Sequence, residues 1–141
     1  HPSPVLKGTL SYNEQIRRHI IRGMWNYENS STFAPQRFEL IRNLDPGEDP
    51  KEIPKNGEFH GSFSLPYVHF TNKGRTKKKT RNIPESGVRI TFKKLDGKDE
   101  EYEVDGQGRN QFGVFVIHGT ASASTHENDP TYNIVLRKRY A

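Results

Sequence analysis

The sequence predicts a mainly β chain: a single antiparallel up-and-down β-barrel of about 7–8 strands with one N-terminal α-helix. Three observations carry this expectation. Short segments of alternating apolar and polar residues recur from Met24 to Leu136, the period of strands with one face buried. Turn signals separate them, at Asp45-Pro46-Gly47, Asn72-Lys73-Gly74, Asp96-Gly97 and Gly106-Gln107-Gly108. No helical pattern alternates with the strands, which removes a parallel α/β sheet and leaves a meander that closes on itself.

In chain order, residues 1–10 read as an N-terminal tail and 11–141 as one barrel domain. Ser11-Tyr12-Asn13-Glu14 has the form of a capping box. Ile16 and Ile20 follow at i, i+4 with Ile21 beside them, and Arg17, Arg18 and Arg22 sit where cations complement a helix C-terminus. Gly23 suits the residue that ends a helix. The pattern predicts a helix over 12–22 that plugs or flanks one barrel end through the three isoleucines. The strands follow around Trp25 and Tyr27, Phe38 and Leu40, Phe59 to Leu65, Val88 to Phe92, Tyr102 and Val104, residues 111–118, and Ile134 and Leu136, with Tyr67–Phe70 as one more short strand. Alternation places Phe38, Leu40, Phe59, Phe63, Val88, Ile90, Tyr102, Val104, Val114, Val116, Ile134 and Leu136 inside. Residues 111–118 are apolar at both parities, so their strand is expected to be covered on two sides. Two connections are long, 43–56 and 71–87, and loops of such length are functional or mobile.

Composition narrows the class. The 141 residues fit one domain. Leu, Ile, Val and Phe make up about 22% of the chain, just above the ~20% below which chains tend to stay disordered. There is no cysteine, which excludes disulfides, a thiol nucleophile and thiolate zinc sites and fits a cytoplasmic or nuclear setting. No leader pattern is visible, and no apolar run approaches the ~18 residues of a membrane helix, so no membrane partner is expected. The net charge of +5 comes from one segment. Lys73, Arg75, Lys77, Lys78, Lys79 and Arg81 fall within nine residues with no acid among them, and the rest of the chain is slightly acidic. This run is expected as an exposed loop, able to bind nucleic acid phosphates or an acidic partner.

Gly23-Met24-Trp25 after the predicted helix, with Arg137, Lys138 and Arg139 ending the last strand, resembles the calycin barrels (lipocalins, fatty-acid-binding proteins and their relatives). In that family a G-x-W motif opens the first strand, and a basic residue near the end of the last strand packs over the tryptophan. The resemblance implies a structural role for Trp25, Arg137, Lys138 and Arg139: a buried Trp25 with a basic side chain on its ring. Parity from Ile134 and Leu136 puts Lys138 on the inner face.

No residue set names a reaction, a metal or a cofactor. The histidines His1, His19, His60, His69, His118 and His126 show no ligand spacing, although His60 and His118 could meet across a sheet. No G-x-S-x-G elbow surrounds Ser62, Ser64 or Ser122 to Ser124. The acidic cluster 96–105 lacks calcium-loop spacing and reads as a solvated hairpin. Asp105-Gly106-Gln107-Gly108-Arg109-Asn110 reads as a tight hairpin with positive-φ glycines or as a loop at the barrel mouth. The small residue between Phe59 and Phe63 leaves room for an aromatic-lined pocket. The expected function is a non-catalytic intracellular binding module that recognises a peptide or protein segment at its mouth or edge. Phe59, Phe63, Tyr67, Arg109, Asn110 and Phe112 are its candidate contacts. The alternatives are a carrier of a small apolar ligand and a nucleic-acid-associated protein using residues 73–81.

Overall fold

The computed structural model describes residues 3–124 and 130–141, so His126 lies outside the described residues. Eight strands form the molecule: β1 (Pro4–Asn13), β2 (Arg18–Tyr27), β3 (Gln36–Asn43), β4 (Gly57–Phe70), β5 (Thr76–Lys94), β6 (Glu101–Asn110), β7 (Gly113–Ala123) and β8 (Tyr132–Tyr140). Each pairs antiparallel with the next, and β1 pairs with β8 to close the barrel.

The predicted helix is absent: among the described residues the chain has no helix, and 12–22 is a hairpin. Asn13 Oδ1 accepts from the amides of Gln15 and Ile16 at 3.0 and 3.1 Å, and Arg17 takes a left-handed φ of 55°. These interactions turn the chain directly from β1 into β2. Ser11 pairs with Ile20 in the ladder rather than capping a helix. Ile16 is 52% exposed, whereas His19, Ile21 and Trp25 are buried at strand spacing. An isolated helix of about 11 residues is marginal in water, while these two strands remove the edges an open sheet would present. Residues Pro4–Leu10, expected as a tail, belong to β1 for the same reason.

The interior holds Leu10, Ile21, Phe38, Leu40, Phe59, Ile83, Val88, Ile90, Val104, Phe115, Ile117, Ile134 and Leu136. Val114 and Val116, expected inside, are exposed, and Phe115 and Ile117 take their place. The Asn110–Gly113 turn, with Gly113 at φ 126°, pairs Gly108 with Phe115 and so fixes that parity. Both parities of this strand are apolar, so hydrophobicity alone did not choose between them. Tyr102 is only partly buried, edge-on to Tyr132 with centroids 5.7 Å apart. Inward glycines close the wall rather than leave room. A Cβ on Gly61 would sit 1.8 Å from the Glu39 carbonyl oxygen, and one on Gly23 would sit 2.0 Å from that of Lys7. Gly23 thus serves a close strand approach inside β2, not a helix end.

From Thr76 on the basic run is strand, not loop, and only Lys73 and Arg75 lie in the turn before it. β5 starts at Thr76 and pairs with β4 from Phe70↔Thr76 through Tyr67↔Lys79, leaving its side chains exposed as expected. Like charges on one face lie about 7 Å apart, where their repulsion in water is only about 0.6 kcal/mol. A two-stranded ribbon bathed in solvent tolerates that.

The long connection before β4 is pinned across the opposite barrel end. Buried Arg42 forms a two-pronged pair with Glu48, at 3.0 and 2.6 Å. Arg17 donates to the Glu48 carbonyl at 2.7 Å, and His19 Nε2 lies 2.9 Å from the Pro50 carbonyl oxygen. Burial lowers the His19 pKa, partly opposed by the Pro50 hydrogen bond, and Arg42 lowers it further. The folded state therefore resists protonation while the unfolded chain takes a proton near pH 6.5. Stability from this site is full above pH 6.5 and falls as pH drops through 6.5 toward the depressed folded value, by at most about 1.4 kcal/mol per pH unit. Urea unfolding at pH 7.5 and 5.5 should show a loss in the parent that shrinks in His19→Gln; equal losses would refute it.

Candidate binding site at the barrel mouth

The N-terminal start of β1 and β7 and the C-terminal end of β2, β6 and β8 gather at one end of the barrel, where they surround a cavity of about 400 Å³. Its wall is Pro4 and Leu6 of β1, Trp25 and Tyr27 of β2, Phe63 and Leu65 of β4, Phe112 of the β6–β7 turn and Tyr140 of β8. Alternation explains most of the clustering: the strand side chains belong to the inward rows of their own strands at this end, and the β6–β7 turn adds Phe112.

At the edge of this apolar cup lie two charges, Glu85 and Lys138, both buried. Lys138 Nζ donates to Glu85 Oε2, which also accepts from Asn110 Nδ2 at 2.9 Å. Asn110 Nδ2 donates in addition to the Tyr140 hydroxyl at 2.8 Å. The ammonium lies 4.3 Å from the Phe63 ring centroid and 4.2 Å from that of Phe115. Burial pushes the Lys138 pKa down, and the Glu85 carboxylate opposes that shift. The cavity thus carries its own neutralised ion pair.

Trp25 is 4% exposed. Its Nε1 donates to the Ser64 carbonyl at 3.0 Å, and its ring packs on Tyr27, Phe33 and Phe63. The implied cation on its face is one ring removed: Lys138 covers Phe63, which stands edge-on to Trp25. Arg137 is exposed and donates to Glu28, and Arg139 is exposed.

The expected contact residues divide. Phe63 and Phe112 line the cavity, and Asn110 braces Glu85 at its edge. Phe59 is fully buried in the barrel interior, away from the mouth. Arg109 is exposed and lines a groove with Arg89 and Val114 on the outer wall. The Asp105–Asn110 stretch is β6 itself, with no positive φ at its two glycines, so it is neither a hairpin turn nor a loop. His118 Nδ1 meets Asp105 at 2.7 Å rather than His60, which is exposed on β4.

That hydrogen bond, with the charges of Asp105 and Glu103 behind it, raises the His118 pKa. Its stabilisation is present below pH 6.5 and lost as pH rises through the higher folded value. The imidazole should titrate above 6.5 by NMR and return toward 6.5 in Asp105→Asn; an unchanged midpoint in that variant would contradict the assignment.

Sequence reasoning missed Tyr27, Leu65, Glu85 and Tyr140. A register shift between Ser86 and Arg89, with Gly87 at φ 59°, switches the inward parity of β5, so that Ile83 and Glu85 join Val88 and Ile90. Reading back from Val88 places Glu85 outside. The one available signal was Lys138: an inward lysine demands a buried carboxylate.

Beyond the mouth, β4 and β5 continue as a two-stranded arm from the same barrel end. Among the described residues, Leu65–Phe70 and Thr76–Arg81 pair only with each other. Tyr67, the remaining expected contact, lies on this arm with the Arg81 guanidinium 5.9 Å from its ring centroid. Lys73 and Arg75 occupy the arm's tip, where Thr71 and Arg75 close the turn. Comparison with protein-family models, with curated proteins and with solved structures finds no match to this chain.

Proposed function

We propose that this chain is a non-catalytic binding module that takes a bulky apolar side chain of a peptide or protein segment into the barrel mouth. The observation that carries the reading is the aromatic-walled cavity of about 400 Å³ at one end of the barrel, above a core of buried side chains. Sites for small ligands have volumes of about 300–1,000 Å³, so one side chain with its flanking backbone fits. The carrier reading is weaker. Phe59, Phe115, Ile83 and Val88 fill the interior below the mouth, so a ligand would sit at the surface rather than be enclosed. A calycin-type barrel is supported by the closed up-and-down order, the buried Trp25 and the inward Lys138. Gly23–Trp25, however, lies within β2 here and does not open a strand after a helix. The absence of cysteine fits work in the cytoplasm or nucleus.

N-acetyl-phenylalaninamide is a minimal probe of the mouth. At about 0.3 kcal/mol per heavy atom its dissociation constant should be near millimolar. Titration followed by ¹H–¹⁵N NMR should shift the Trp25 indole and the Phe63, Phe112 and Tyr140 amides, and Leu65→Arg should abolish the response. Saturable shifts confined to another surface would refute the reading.

A further inference from the structure

We infer that the segment bound at the mouth is acidic on one side of its apolar anchor; this rests on the mouth reading. The argument is register. Leu65 lines the cavity and Ile83 is core, and residues alternate in facing along a strand. Tyr67 therefore continues the mouth-side row of β4, while Arg81, Lys79 and Lys77 continue that of β5, with Leu65 opposite Arg81 and Tyr67 opposite Lys79. Three cations spaced about 7 Å apart thus rise from the cavity's rim, matching the alternate side chains of an extended peptide. No acid lies between Leu65 and Asn82 to neutralise them. Lys78 belongs to the opposite face of the arm, opposite Val68.

The same row attracts phosphate, but the cavity disfavours a nucleobase. Its charged side chains, Glu85 and Lys138, are spent on each other. A base edge buried there would lose its hydrogen bonds to water and gain few in return. An apolar side chain has no such cost, and carboxylates outside the cup meet the arm.

The test is selection from a random 12-residue peptide library displayed on phage, followed by anisotropy of a selected, fluorescein-labelled peptide. Enriched sequences should pair a bulky apolar residue with Asp or Glu on one side. Lys77→Ala/Lys79→Ala should weaken the peptide about tenfold at about 50 mM salt, and much less at about 500 mM. Lys78→Ala should leave binding near the parent's. Leu65→Arg should remove it at both salt concentrations. Apolar anchors without acidic bias would overturn the inference and leave the mouth reading standing. Acidic peptides without an anchor, insensitive to Leu65→Arg, would overturn both. Equal weakening by Lys78→Ala would show a diffuse charge effect and overturn the proposed row. Tighter binding of a 12-nucleotide oligouridine, sensitive to the arm variants, would replace the peptide with nucleic acid.

Discussion

Glu85→Ala should destabilise the protein by about 3–5 kcal/mol, the cost of leaving a buried charge without its partner. Lys138 is 4% exposed, and the rings of Phe63 and Phe115 beside its ammonium offer it no acceptor comparable to the carboxylate. Asn110 would lose one of its two acceptors as well, keeping the Tyr140 hydroxyl. Urea unfolding should show the loss directly. Without Glu85 the ammonium keeps only the depressing effect of burial, so the folded pKa lies further below the unfolded value of about 10.4. The unfolded chain then holds more protons across that interval, and the variant's stability should rise as pH is raised through it. Glu85→Leu/Lys138→Met should recover most of the loss, since replacing both members of a buried pair with apolar groups is often neutral or better. A Glu85→Ala protein as stable as the parent, with no such pH dependence, would show that water reaches Lys138 freely.

Trp25→Ala should cost about 3–5 kcal/mol and abolish the proposed binding at the mouth. The ring touches Tyr27, Phe33 and Phe63, and its indole holds the Ser64 carbonyl where β4 leaves β3 for the arm. Truncation removes one cavity wall and the hydrogen bond that anchors the base of the arm. Trp25→Phe should keep much of the packing and lose the bond, at about 1 kcal/mol or somewhat more. Denaturant midpoints separate the two variants. If Trp25→Ala unfolds with the parent's midpoint, the aromatic cluster is not a structural element of the mouth.

Much of the barrel was legible because strand alternation is a local signal. Phe38, Leu40, Phe59, Phe63, Val88, Ile90, Val104, Ile134 and Leu136 are buried as their alternation predicts, since a solvated outer face left one register for each strand. Lys138 was placed inward by the same rule. Over residues 12–22 the i, i+4 isoleucines suggest a helical face, whereas the inward strand row is His19 and Ile21 and Ile16 is left exposed in the turn. Pairing of β2 with β1 on one side and β3 on the other selects the strand. The parity of β7 was equally open until the Asn110–Gly113 turn fixed it.

The sequence by itself determined the mainly β, antiparallel barrel, though not its first hairpin, where a helix was expected, and it determined most of the core and the charge of the arm, because alternation, turn residues and charge are local signals. Only the tertiary structure decided how the mouth and the arm are assembled. The β5 register shift turns Glu85 inward to Lys138, 53 residues away along the chain. Strand pairing sets Tyr67 beside the basic run, from which it is separated in sequence by a turn. Closure brings Trp25, Phe63, Phe112 and Tyr140 around one cavity. Such positions follow from long-range strand pairing, which local alternation does not encode.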